Sequence, residues 1–94
     1  MSFTYETVAA SQTAQVLGAT GAQGDYLDRL IITVATAATG TVALLDGATS
    51  IPITAANTPI GVYVVEFGVR STTGPWKITT GAGATVIGIG EFKV

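Results

Sequence analysis

The chain has 94 residues and a mass of 9.5 kDa, enough for one hydrophobic core and too little for a multidomain enzyme. Six acidic and four basic side chains are its whole charge, a net of −2, while 48% of its residues are hydrophobic. Four scattered cations make no patch that neutralises a run of phosphates, so neither nucleic acid nor an anionic membrane surface is an expected partner.

From the N-terminus, Met1 to Glu6 shows no basic region and no apolar stretch, so no secretory signal is expected. Apolar and β-branched residues then recur with period two between short Gly, Pro, Asn and Asp clusters. This spacing predicts strands over residues 3–8, 14–17, 26–36, 41–45, 50–54, 60–70, 75–79 and 85–92. Residues 1–13 are also a candidate arm for pairing with a neighbour. Asp46-Gly47 suits a tight hairpin, Gly40 is expected to turn the chain before it, and the third to fifth strands are expected to be neighbours. Asn57-Thr58-Pro59, Thr73-Gly74-Pro75 and Gly81-Ala82-Gly83 punctuate the rest. About eight short strands in one domain, residues 1–94, predict an all-β fold, a small antiparallel sandwich rather than a parallel α/β sheet.

In the sixth predicted strand Tyr63, Val65, Phe67 and Val69 share one face, and Val62, Val64, Glu66 and Arg70 the other. In the third, Leu30, Ile32 and Val34 oppose Ile31, Thr33 and Ala35. A sheet with one wet face carries polar residues at every second position. Here, Glu66 and Arg70 apart, the outer positions are apolar, small or threonine. Ten charges over a surface of roughly 5,000 Å² are also sparse for a soluble monomer. Sixteen threonines cover part of that surface with neutral polar groups. Phe3, Tyr5, Ile31, Val62 and Val64 are therefore the candidate contacts with other subunits or a partner. The competing reading is a mildly apolar surface, or strands covered on both sides by the chain's own loops.

The sequence carries few groups able to do chemistry. Cysteine and histidine are absent, which removes disulfides, thiol or imidazole nucleophiles, and any zinc site not made of carboxylates alone. The glycine-rich residues 18–25 lack the lysine of a phosphate loop and the spacing of a dinucleotide loop, and a strand follows them. Asp46-Gly47 lacks the hydroxyl residue that an aspartic protease places between its aspartate and glycine, so a hairpin turn is the better reading. Asp25, Asp28 and Asp46 make a weak Ca²⁺ set, and Glu66 and Glu91 a weak glycosidase pair. Trp76 and Tyr63 read as core anchors ahead of sugar platforms. The expectation is a non-enzyme with no metal and no cofactor.

The run Gly24-Asp25-Tyr26-Leu27-Asp28-Arg29-Leu30 leads through Val34-Ala35-Thr36-Ala37-Ala38-Thr39-Gly40 to Asp46-Gly47, then to Gly68-Val69-Arg70-Ser71 and Gly74-Pro75-Trp76-Lys77. In that order these features resemble the small head decoration, or cement, proteins of tailed bacteriophages, over about residues 14 to 92. The resemblance implies a jelly-roll-like sandwich that self-associates, commonly as a homotrimer, and clamps major capsid protein subunits. It places the protein on the capsid exterior of the virion, after synthesis in the bacterial host cytoplasm. The alternative class is a tail, neck or receptor-binding module that holds a carbohydrate or host surface through Trp76 and the tyrosines.

Overall fold

Alternation leaves β-strands of this kind with an apolar side that must be covered, and the chain covers it with a second sheet. The computed structural model describes residues 3–18 and 21–92. Eight strands form: β1 Thr4–Val8, β2 Gln15–Val16, β3 Tyr26–Val34, β4 Val42–Asp46, β5 Thr49–Thr54, β6 Gly61–Arg70, β7 Trp76–Thr80 and β8 Ala84–Glu91. They build two four-stranded antiparallel sheets, ordered β1-β8-β3-β6 and β2-β7-β4-β5. The described residues contain no helix. The surface area is 4775 Å² and the radius of gyration 12.2 Å, close to what a compact chain of this length has.

Strands pair as β1 with β8, β2 with β7, β3 with β6, and β4 with β5. That nesting is one long hairpin rolled over itself. Pairs β3–β8 and β4–β7 close the two sheets, and the result is a jelly roll. The core between the sheets holds Leu27, Leu30, Ile32, Val34 and Val86 from the first and Val42, Leu44, Trp76 and Ile78 from the second. Leu17, just after β2, is fully buried among them.

Two expectations need correction. Strands β4 and β5 are hairpin neighbours through Asp46-Gly47, with Gly47 at φ +60°, but β3 lies in the opposite sheet. Residues 35–41 therefore cross the sandwich, because β4 covers the core from the side that β3 leaves open. Gly40 is needed there for space and not for a left-handed turn, since a Cβ on it would stand 2.8 Å from the Gly81 Cα. The second correction concerns Val69, expected to point inward with Phe67 but 45% exposed. Between Leu27 and Arg29 the β3–β6 register slips, so that Phe67 and Gly68 stand opposite Asp28 alone. Gly68 takes φ +69°, and past this bulge Val69 still stands opposite buried Leu27, so it is exposed because it lies near the end of the open edge strand and not because it has changed face.

The N-terminal residues considered as an arm lie against this chain: Thr4–Val8 pairs with β8, and the Ser11 N–H donates to the Gly81 carbonyl at 3.1 Å. Met1 and Ser2 lie outside the described residues. Strand β8 holds a reversal of the usual pattern. Its isoleucines, Ile87 and Ile89, are half-buried, while Gly88 and Gly90 are buried. A Cβ on Gly88 would meet Leu17 Cδ1 at 3.0 Å, and one on Gly90 would run into the Tyr26 carbonyl oxygen. The glycines face inward because Leu17 and the bulged start of β3 already fill that space.

Candidate functional site

Register defines the outer face of the first sheet row by row. Tyr5, Ile89, Arg29 and Glu66 form one row across β1, β8, β3 and β6, and Thr7, Ile87, Ile31 and Val64 form the next. Thr85, Thr33 and Val62 make a third. At the opposite end Glu91, Tyr26 and Arg70 lie side by side. Charge is therefore segregated. Asp28, Arg29, Glu66, Arg70 and Glu91 crowd the end that holds the bulge, and the two rows from Thr7 to Val62 carry no charge at all.

The charged end is ordered by stacking. Phe3 packs on the Tyr26 ring with centroids 5.7 Å apart, and the Arg70 guanidinium sits 5.5 Å from the same ring. The Tyr26 hydroxyl donates to Asp28 Oδ1 at 3.4 Å, and Arg29 Nε donates to Asp28 Oδ2 at 2.8 Å. The Asp28 hydrogen bond and charge hold the Arg29 guanidinium above its ordinary value. A cleft of about 200 Å³ opens at the bulge, lined by Asp28, Arg29, Glu66, Phe67 and Gly68.

At the neutral end large apolar side chains face water. Val62 is 64% exposed, Val64 56% and Ile60 64%, with Ile31 and Ile87 half-buried on the strands beside them. Tyr5, on the border of the two halves, is 71% exposed. A contiguous apolar surface with no charge marks a place where another molecule is covered or bound. Comparison with protein-family models, curated proteins and solved structures finds no match for this chain.

The five contact candidates thus share one surface: Ile31, Val62, Val64 and Tyr5 stand in adjacent rows, and Phe3 stacks at its charged end. Sequence reasoning missed Ile87 and Ile89, since an alternation of isoleucine with glycine reads as isoleucine inward. It also missed the Phe3–Tyr26–Arg70 stack, which joins three distant segments through strand register alone.

The remaining candidates are dispersed into structural roles. Trp76 is buried and donates its indole N–H to the Asp25 carbonyl at 2.9 Å, so it offers no stacking surface. Asp46 accepts from the Thr72 and Thr73 N–H groups at 3.0 Å and from the Thr72 hydroxyl at 2.8 Å. Burial pushes its carboxyl upward, but these bonds from Thr73 and Thr72 outweigh it and hold the group below its ordinary 3.8. Asp25 Oδ2 accepts from the Ala22 N–H at 2.9 Å. Of the three aspartates of the Ca²⁺ reading, Asp25 and Asp46 thus hold separate loops, and Asp28 lies in β3 against Tyr26 and Arg29. Glu66 lies opposite Arg29 and Glu91 opposite Tyr26, in different rows. In the glycine-rich segment Gly18, Gly21 and Gly24 all take positive φ, the Asp25 N–H donates to the Ala22 carbonyl at 3.2 Å to close a turn, and the Gly24 N–H ties the segment to the Ser71 carbonyl at 3.1 Å.

Proposed function

We propose that this chain is a structural virion protein of a tailed bacteriophage, a decoration or cement protein that lies on the capsid exterior and bridges major capsid protein subunits. The observation that carries the reading is the charge-free apolar half of the outer face, around Ile31, Val62 and Val64. A cement protein works through covered area and needs no pocket, which suits a rigid jelly roll whose buried carboxylates are spent on loops. The resemblance to phage decoration proteins supplies the partner and, with it, a homotrimer.

The mechanism is mass action. A ligand that binds only the assembled shell shifts the equilibrium toward assembly. One protomer of this size offers each neighbour no more than about the 800 Å² of a standard interface. Joined protomers turn later contacts into intramolecular ones, so modest affinities add up to lasting attachment. Shells stripped of the protein should rupture at lower temperature, and added purified protein should restore them. Unchanged shell stability on adding the protein back overturns the reading.

A second reading has its own support. Exposed Phe3 and Tyr5 beside the polar cleft at Asp28 and Glu66 are the elements of a carbohydrate site. A glycan array answered through this end, with no effect on shells, would favour the receptor-binding alternative.

A further inference from the structure

Strand β6 is the outermost strand of its sheet, and across ten residues its far side pairs with no other described strand. Free strand edges are normally blunted by proline, lysine, shortness or a covering loop. The other three edges are treated in this way. Edge strand β2 has two residues, β1 has half the length of β6 and an inward-facing charge in Glu6, which accepts from Gln15 and the Gly18 N–H, and β5 carries Pro52 and a register shift opposite Val42 and Ala43. Strand β6 has neither proline nor lysine, and from Gly61 to the Gly68 bulge its only charge is Glu66.

We propose that β6 pairs antiparallel with β6 of a second copy of this chain about a two-fold axis through Val64, joining two sheets into one of eight strands. The register follows from three requirements. Residues directly opposite in an antiparallel pair lie on the same face, so the axis must pass through a residue and not between two. Gly68 ends the straight stretch, and an axis at Val64 uses all of it, from Gly61 opposite Phe67 of the copy onward. That axis also sets Glu66 against Val62 and keeps the two Glu66 carboxylates apart, where like charges face to face would repel.

The inner face then gains cross-strand partners that β6 lacks alone. Tyr63 and Val65, both half-buried against the core margin, meet Val65 and Tyr63 of the copy, and aromatic with β-branched is a favoured cross-strand combination. On the outer face the two Val64 rows become continuous across the new seam, and each Val62 row runs on into the Glu66 row of the copy. The pairing involves no shell and stands independently of the proposed function. Three-fold contacts of the kind that the resemblance implies would use other surfaces.

The chain contains no cysteine, so single cysteine variants report the register without interference. Opposed strand residues have Cα atoms about 4.5 to 5.5 Å apart, within disulfide range. Val64→Cys should form a covalent dimer under mild oxidation. Val62→Cys and Glu66→Cys should each remain largely monomeric, because each lies about 13 Å along the strand from its own counterpart. Mixed together, those two should cross-link at least tenfold faster than either alone. All three positions are exposed, so folding should survive, and the mixture tests the register even if Val64→Cys does not. Failure of the mixture to cross-link, or a monomer by light scattering of the unsubstituted protein at 100-fold above micromolar concentration, overturns the proposal.

Discussion

Gly81 and Gly40 meet backbone to backbone: a Cβ on Gly81 would lie 2.5 Å from the Gly40 Cα and 2.7 Å from its carbonyl carbon. Neither takes a left-handed φ, so their glycine identity is a matter of room. The contact ties residues 35–41, which carry the chain from one sheet to the other, to the β7–β8 turn. The Gly40 N–H also donates to the Ala82 carbonyl at 3.0 Å. Since the atoms in the way are backbone, no side chain can swing aside.

Gly81→Ala should therefore destabilise the fold by about 1–3 kcal/mol, the usual cost of overpacking. In a domain of this size that lowers Tm by several degrees. Gly24→Ala is the informative partner, since nothing lies within 4 Å of its Cβ position but its φ is +92°. Its cost should come from backbone strain alone. Thermal melts of the two variants check both, and an unchanged Tm in Gly81→Ala would contradict the close approach.

Asp46 sets a pH dependence. A carboxyl whose folded pKa is depressed stabilises the fold above its unfolded value and loses that contribution as pH falls through the folded one. Stability should be flat from pH 7 to about 5 and should then decline below the ordinary value of 3.8, as protonation removes acceptors from Thr72 and Thr73. Asp46→Asn should cost about 1–3 kcal/mol at pH 7 and flatten the decline. Urea titrations at pH 7, 4 and 2.5 measure both effects.

Trp76 is the chain's single tryptophan, buried, with Phe67 edge-on at 6.3 Å. Its emission should be blue-shifted in the native state and move red in one cooperative step on unfolding. Trp76→Phe removes the indole donor from the Asp25 carbonyl, which keeps the Ser71 N–H at 2.9 Å, so the bond itself should cost about 0.5–1.5 kcal/mol. A variant as stable as the parent in denaturant titration would show that this bond contributes nothing.

Strand positions were legible because period two survives wherever one face must be covered: Leu30, Ile32 and Val34 lie in the core as their spacing requires. Sheet membership was less legible. The turn at Gly40 looks like a hairpin signal, yet the nesting that sends β3 and β4 to opposite sheets is set by the distant pairings of β3 with β8 and β4 with β7. The interaction face was half legible. Val62 and Val64 alternate visibly with Tyr63 and Val65, whereas Ile87 points outward only because Leu17 occupies the space beside Gly88, a contact across 71 residues of chain. The bulge at Gly68 was hidden for a similar reason, since a single glycine in a strand does not say which partner residue it will oppose.

The outer face offers a way to separate shell binding from self-association. Thr33 is exposed in the charge-free half, one strand in from the β6 edge, between Thr85 and Val62. A lysine there leaves the β6 backbone edge untouched and should not disturb the fold, because the side chain points away from the core. If the charge-free half docks on capsid subunits, Thr33→Lys places an unpaired charge inside the contact, at a cost of a few kcal/mol. Each protomer of an oligomer pays the same penalty, so the loss multiplies across linked contacts and shell occupancy should fall by more than a hundredfold. Self-association by light scattering should be unchanged. Binding to stripped shells at full strength by this variant would move the capsid contact elsewhere, with the charged end around Phe3, Tyr26 and Arg70 the next surface to substitute.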